Sequence, residues 1–143
     1  MNRPACLIFN PVAGQGNAEQ DLATIKRILE PTFDLDIQYT TPDISAGELA
    51  HKAIEKNVEM IIASGGDGTI SAVAEALIKT DIPLGAIARG TANAFANALD
   101  IPYTIEAACQ VIVDGATKKV DAAYCNDKPM ILLAGVGFEA ETV

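Results

Sequence analysis

Gly65-Gly66-Asp67-Gly68-Thr69 constrains this chain more than any other segment, because of what flanks it. The apolar run Met60-Ile61-Ile62-Ala63 leads into it with the length and composition of a buried strand. Ile70, Val73, Ala74, Leu77 and Ile78 follow at the spacing of one helical face, which predicts a helix from about Thr69 to Lys79. A strand that enters a helix through glycines brings backbone close to a ligand. It also aims free N–H groups at that ligand, with the positive end of the helix dipole behind them. That is a place for phosphate. Asp67 would repel a bare phosphate, so its carboxylate implies a divalent cation between the two charges or a hydroxyl that must lose its proton. A plain Asp-Gly connector explains such a dipeptide in isolation. It does not explain three glycines, an acid and a hydroxyl within five residues.

The same alternation of strand and helix runs along the chain. Ala5 to Phe9 is a continuous apolar strand, and Leu22, Ile25 and Leu29 mark a helix that ends before Pro31. Leu35 to Tyr39 alternates as a half-exposed strand does, and Ser45 with Glu48 forms a capping box for a helix carrying Leu49, Ala53 and Ile54. Beyond the central turn come a strand from Leu84 to Ile87, a short helix around Ala92 to Leu99, and a helix carrying Ile105, Ala108, Cys109 and Ile112. Two last strands, about Lys119 to Cys125 and Met130 to Ala134, flank a turn at Asn126 to Pro129. Repeated β-α units with near-continuous apolar strands predict an α/β fold, a parallel Rossmann-like sheet with helices on both faces.

Ligands bind such sheets at the carboxyl ends of the strands. Two further glycine turns fall at that edge: Asn10-Pro11-Val12-Ala13-Gly14-Gln15-Gly16 after the first strand, and Arg89-Gly90-Thr91-Ala92-Asn93 after the fourth. Each alone is an ordinary connector. Three on one rim, two with a threonine at the helix entrance, are not. The Walker A ending G-K-S/T is absent, and Glu19 spoils a dinucleotide fingerprint beginning at Gly14. Gly135 to Ala140 fits that fingerprint only nominally, since no helix or ribose-binding acid follows it here.

Composition narrows the partners. The 143 residues suffice for one domain, and half of them are apolar with no Trp. A net charge of -9 argues against nucleic acid as a partner and against the chain holding an anionic membrane by charge. Neither a membrane span nor a signal peptide is expected, and the location expected is cytoplasmic. Cys6, Cys109 and Cys125 sit in apolar runs and read as reduced core residues. His51, the single histidine, reads as a surface residue.

The three turns together resemble the catalytic domain of the diacylglycerol kinase and sphingosine kinase family, most closely its bacterial YegS-like lipid kinases. Asn10 to Gly14 looks like the family's first nucleotide loop, Gly65 to Thr69 like its G-G-D-G-T, and Gly90-Thr91-Ala92-Asn93 like its G-T-x-N. The match runs from Ala5 to Phe138. G-G-D-G-T alone is shared with NAD kinases and phosphofructokinases, whose amino-terminal domains have this type of fold. The Asn-Pro opening and the G-T-x-N-x-F segment favour the lipid kinases.

The resemblance implies an ATP-dependent kinase that phosphorylates a primary hydroxyl of a diacylglycerol-like or long-chain-base lipid, with ATP and Mg²⁺ as cofactors. Asn10, Pro11, Val12, Ala13 and Gly14 would cover the ATP phosphates and adenosine, with Thr41 contacting the nucleotide. Gly65, Gly66, Asp67, Gly68, Thr69, Ile70, Ser71 and Ala72 would wrap the phosphates, and Gly90, Thr91 and Asn93 would complete the site. Asp67 would be the catalytic and metal-binding carboxylate.

This chain departs from the family at several positions. It has Ser71-Ala72 where the family usually has Asn-Glu, Ala94 where an Asp is common, and Ala88 where a proline is usual. Arg89, beside Ala88, either reaches a phosphate or is solvated. Family members look roughly twice as long, with a second β-rich domain carrying lipid-binding parts. On this reading residues 1–143 are the nucleotide-binding domain, inactive in isolation, and membrane contact belongs to the other domain. A sheet edge or apolar patch left uncovered by that domain would invite self-association. The alternatives are a non-catalytic nucleotide-binding fragment and a NAD kinase-like enzyme.

Overall fold

The computed structural model describes residues 3–13, 17–78, 80–89, 104–114, 123–125 and 128–130. Strands β1 (Arg3–Phe9), β2 (Phe33–Tyr39), β3 (Met60–Gly65) and β4 (Leu84–Ala88) form one sheet in the order β2-β1-β3-β4, every pair parallel. Helices α1 (Ala18–Leu29), α2 (Ala46–Glu55), α3 (Asp67–Ala76) and α4 (Ile105–Asp114) alternate with the strands or follow them. The expected short helix around Ala92 to Leu99 lies outside the described residues.

Period-two alternation explains why both faces are covered. Ala5, Leu7 and Phe9 of β1 join Met60 and Ile62 of β3 in a cluster with Ile25 and Leu29 of α1 and Ala108, Cys109 and Ile112 of α4. Cys6 and Ile8 point the other way, with Ile61 and Ala63, toward Leu49, Ala50 and Ala53 of α2 and Ile70, Val73 and Ala74 of α3. Neither face of the central strands meets water, which is why β1 and β3 read as unbroken apolar runs. His51 is exposed on α2, as expected. Cys6 and Cys109 are buried free thiols. Desolvation, reinforced by Asp36 near Cys6 and Glu106 near Cys109, pushes their pKa values up to about 11 and about 12.

Local signals set most helix ends. Asn17 caps α1 by accepting from the Glu19 and Gln20 amides, and Ser45 caps α2 by accepting from the Glu48 amide, the Ser half of the expected box. After α2 the chain turns through Asn57 in the left-handed region, φ 58°.

The carboxyl-terminal strands differ from expectation. β5 (Ala123–Cys125) and β6 (Lys128–Met130) pair antiparallel, Tyr124 opposite Pro129, in a separate two-stranded sheet. Lys128 and Pro129, expected in the turn, belong to the second strand. Only residues 126 and 127 separate the two strands, and a parallel pairing needs a crossover of a dozen residues or more.

Candidate functional site

The strand order places the site. From β1 the chain moves to one side to form β2, then crosses back over β1 to form β3 on its other side. The crevice between the loops leaving β1 and β3 is where α/β sheets take ligands. The strands reach this rim nearly level: Phe9 pairs with Tyr39 and Ser64, and Gly65 with Ala88. Backbone bonds carry the ladder past the strand ends. The Asn10 amide donates to the Ser64 carbonyl at 2.9 Å, the Arg89 amide to the Gly65 carbonyl at 2.7 Å, and the Thr40 amide to the Phe9 carbonyl at 3.1 Å. Asn10, Thr41, Gly66 and Arg89 are thereby lined up on one edge.

The first loop is a turn built by its own residues. Asn and Pro favour the first two positions of such a turn. The Asn10 side-chain Oδ1 accepts from the Val12 amide at 3.1 Å, and the Asn10 carbonyl accepts from the Ala13 amide at 3.3 Å. The other end of the side chain, Nδ2, donates to the Thr69 hydroxyl at 3.1 Å, which ties this turn to the first turn of α3. Pro11 and Val12 are left exposed, Val12 at 86%.

The second loop uses its glycines in different ways. A Cβ on Gly65 would lie 2.9 Å from both Cβ and Oγ1 of Thr69 and 3.1 Å from Cβ of Asn10, so glycine here lets the two loops touch. Gly66 is the N-cap of α3, and no side chain caps that helix, in contrast to α1 and α2. Asp67 opens the helix two residues earlier than the apolar spacing suggests. Gly68 lies in the first turn with nothing within 4 Å of where its Cβ would be, and its φ is not in the left-handed region. The fold therefore does not require glycine at 68, while a ligand approaching the helix end closely would. Ile70 is a core residue whose amide donates to the Gly66 carbonyl, and Ala72 packs at the edge of the core. Ser71 is half-buried on the same helix.

Thr41 stands on the rim but its hydroxyl oxygen accepts from the Asp43 and Ile44 amides, at 3.2 and 3.0 Å, closing the turn into α2. Gly14, Gly90, Thr91 and Asn93 lie outside the described residues.

Arg89 is neither solvated nor reaching outward. Its side chain is 2% exposed, pairs through Nε with Asp21 Oδ2 at 3.0 Å, and donates from Nη1 to the Asn10 carbonyl at 2.7 Å. The guanidinium lies 4.3 Å from the Phe9 ring centroid, and Phe9 meets Tyr39 edge to face at 6.2 Å. Asp21, in the first turn of α1, carried no signal in the sequence. Its role depends on where α1 lands.

As to a metal, no group of three or more His, Cys, Asp or Glu that would hold one is found among the described residues. Mg²⁺ ordinarily takes one or two carboxylates together with substrate phosphates and water, so a single Asp67 in the first turn of α3 fits the carboxylate that a nucleotide-borne Mg²⁺ would need.

Comparison with known proteins agrees with this geometry. The family profile of the diacylglycerol kinase catalytic domain matches residues 4–125. The uncharacterized protein sll0036 of Synechocystis sp. is 54% identical over 149 residues, covering 96% of this chain and 34% of that protein. A diacylglycerol kinase of Staphylococcus aureus is 36% identical over 140 residues, covering 96% of this chain and 44% of that one. The crystal structure of a diacylglycerol kinase from Bacillus anthracis superposes with a TM-score of 0.81 at 33% identity, over 89% of this chain and 47% of the other. The chain spans less than half the length of these relatives.

Proposed function

The chain belongs to the diacylglycerol kinase catalytic-domain family, and from that premise we propose that it is the nucleotide-binding part of an ATP-dependent lipid kinase. The observation that carries this reading is the end of α3. An N-terminus with no side-chain cap opens at the crossover between β1 and β3, braced by Asn10 and flanked by the open face of Gly68. Backbone N–H groups and the helix dipole there suit the β- and γ-phosphates. The Asn10–Ala13 turn covers the nucleotide from the neighbouring strand.

In phosphoryl transfer a bond forms between the acceptor hydroxyl oxygen and the γ-phosphorus while the bond to the bridging β,γ-oxygen breaks, and the hydroxyl proton leaves. The protein's part is alignment and charge neutralisation. Asp67 would hold Mg²⁺ with the nucleotide, the ion then supplying neutralisation of the phosphate charge, or would itself take the hydroxyl proton. Asn10 and Thr69 keep the two phosphate-facing loops at fixed separation. We assign the acceptor, a diacylglycerol-like or long-chain-base lipid with a primary hydroxyl, to a pocket in the length that relatives have beyond the matched part. On that reading the 143 residues alone bind nucleotide and leave lipid unphosphorylated. Among the described residues no helix is long and apolar enough to cross a membrane.

The test is calorimetric titration of the chain with ATP, with and without Mg²⁺, and a radiolabelled ATP assay on a protein of full family length against diacylglycerol, monoacylglycerol, sphingosine and NAD. Binding that strengthens with Mg²⁺ and label transferred to a lipid are expected. Label transferred to NAD alone would assign the protein to a different kinase chemistry.

A further inference from the structure

We propose that Arg89, held by Asp21, is a positioning residue that fixes the Asn10–Ala13 turn in the form that receives the nucleotide phosphates. This rests on the nucleotide reading above and adds two residues to it. The carbonyl of Asn10 is the pivot of the turn, and it accepts from the Ala13 amide at 3.3 Å and from Arg89 Nη1 at 2.7 Å. The shorter bond comes from the arginine, across 79 positions of sequence. Because the same Asn10 donates to Thr69, a shift of its backbone would also move the brace on α3.

Arg89 is aimed by three contacts that leave it little freedom: the Asp21 carboxylate at its Nε, the Phe9 ring against its face, and its own amide bonded to Gly65. A planar guanidinium held at one edge and one face can point its remaining N–H groups in only one direction. Nη2, however, is buried with no hydrogen-bond partner among the described residues. An arginine serving the fold alone would be expected to fill every N–H at this depth, since an unmade bond on a buried charged group is costly. That nitrogen, on the same carbon as the Nη1 that grips the loop, fits an arginine set to hold the loop when a nucleotide is bound.

The experiment uses the whole chain with Asp21→Asn, which keeps an acceptor for Nε but removes its charge, and Arg89→Lys and Arg89→Met. Circular dichroism and thermal melts establish folding of each. NMR solvent-exchange rates of the Val12 and Ala13 amides, and calorimetric titration with Mg-ADP, are then compared with the unaltered chain. The expected result is faster exchange at these two amides and affinity reduced roughly tenfold, the scale at which displaced supporting groups act in built sites. Arg89→Lys should recover part of both effects relative to Arg89→Met, and in the unaltered chain the guanidinium ¹⁵N signals of Arg89 should shift on adding nucleotide while those of Arg3 do not.

Unchanged exchange at Val12 and Ala13 in folded variants would overturn the proposal, as would faster exchange with undiminished affinity. A unaltered chain that binds no nucleotide would overturn the functional reading and this inference with it; that failure is recognisable because it appears before any substitution is made.

Discussion

Asn10 and Thr69 stand 59 positions apart in sequence, yet Asn10 Nδ2 lies 3.1 Å from the Thr69 hydroxyl. Between their backbones sits Gly65, whose missing side chain leaves the room for this contact. Two loops that each look like an independent phosphate turn are therefore one mechanical unit, and the Asn10 side chain is occupied at both ends by its duties within that unit. A ligand meeting the rim meets a preset spacing of backbone groups.

That coupling is measurable. In a double-mutant cycle with Asn10→Ala and Thr69→Ala, read by denaturant unfolding, the pair should show a coupling energy of about 0.5–1.5 kcal/mol. The Asn10 single variant should cost more than the Thr69 one, because it also releases the Val12 amide. Strictly additive effects would mean that the bond does not hold the loops together.

Gly65 and Gly68 should separate stability from binding. Gly65→Ala forces a Cβ into contact with Thr69 at 2.9 Å, so the fold should lose about 1–3 kcal/mol, as overpacked sites do. Gly68→Ala meets open space in a helical turn and should hold stability level or raise it by up to about 1 kcal/mol. On the proposed reading its ATP affinity should nonetheless fall, because the methyl group would stand where the phosphates would approach. Melting curves and nucleotide titrations on both variants check this, and a Gly68→Ala protein with full affinity would remove the close-approach argument.

Asp67→Asn should leave the fold intact while abolishing the advantage that Mg²⁺ gives to ATP binding. In a protein of full family length, turnover should drop by about 10²–10⁴ if the carboxylate takes part in proton transfer. Near-normal turnover would reduce Asp67 to a helix-start residue favoured by the dipole.

The buried thiols give a pH signature. Cys6 and Cys109 hold their protons to about 11 and about 12 when folded, against an ordinary value of 9.0. Between these limits the unfolded chain binds fewer protons than the folded one, so stability should be unaffected below pH 9 and fall as pH rises from 9 toward 11–12. In a Cys125→Ser background neither thiol should react with a disulfide reagent at pH 8 until denaturant is added. Fast labelling of the folded protein would show that the core opens locally at β1 or α4.

Much of this was legible in order along the chain. The unbroken apolar runs of β1 and β3 announced strands buried on both faces, and the spacing from Ile70 to Leu77 announced the α3 helix that packs on one of them. Ser45 and the glycines of the central turn marked where helices begin, since capping and turn chemistry act over three or four residues. The antiparallel β5-β6 pair was less legible, because three-residue strands leave hardly any period to read.

The sequence by itself determined the four strands of the main sheet, the helices that pack on them, and that this sheet is parallel with the Gly65–Thr69 turn at its carboxyl edge, because those properties follow from short-range periodicity and from connection length. Only the tertiary structure decided what each rim residue does. Arg89 read as a phosphate ligand or a solvated side chain until Asp21, 68 positions away, and the Phe9 ring claimed it. Asp21 carried no signal, and Asn10 proved to be a brace between loops. Such pairings are set by where α1 lands on the sheet and how closely β1, β3 and β4 end in register. Those distances arise from packing the whole core, and no local pattern encodes them.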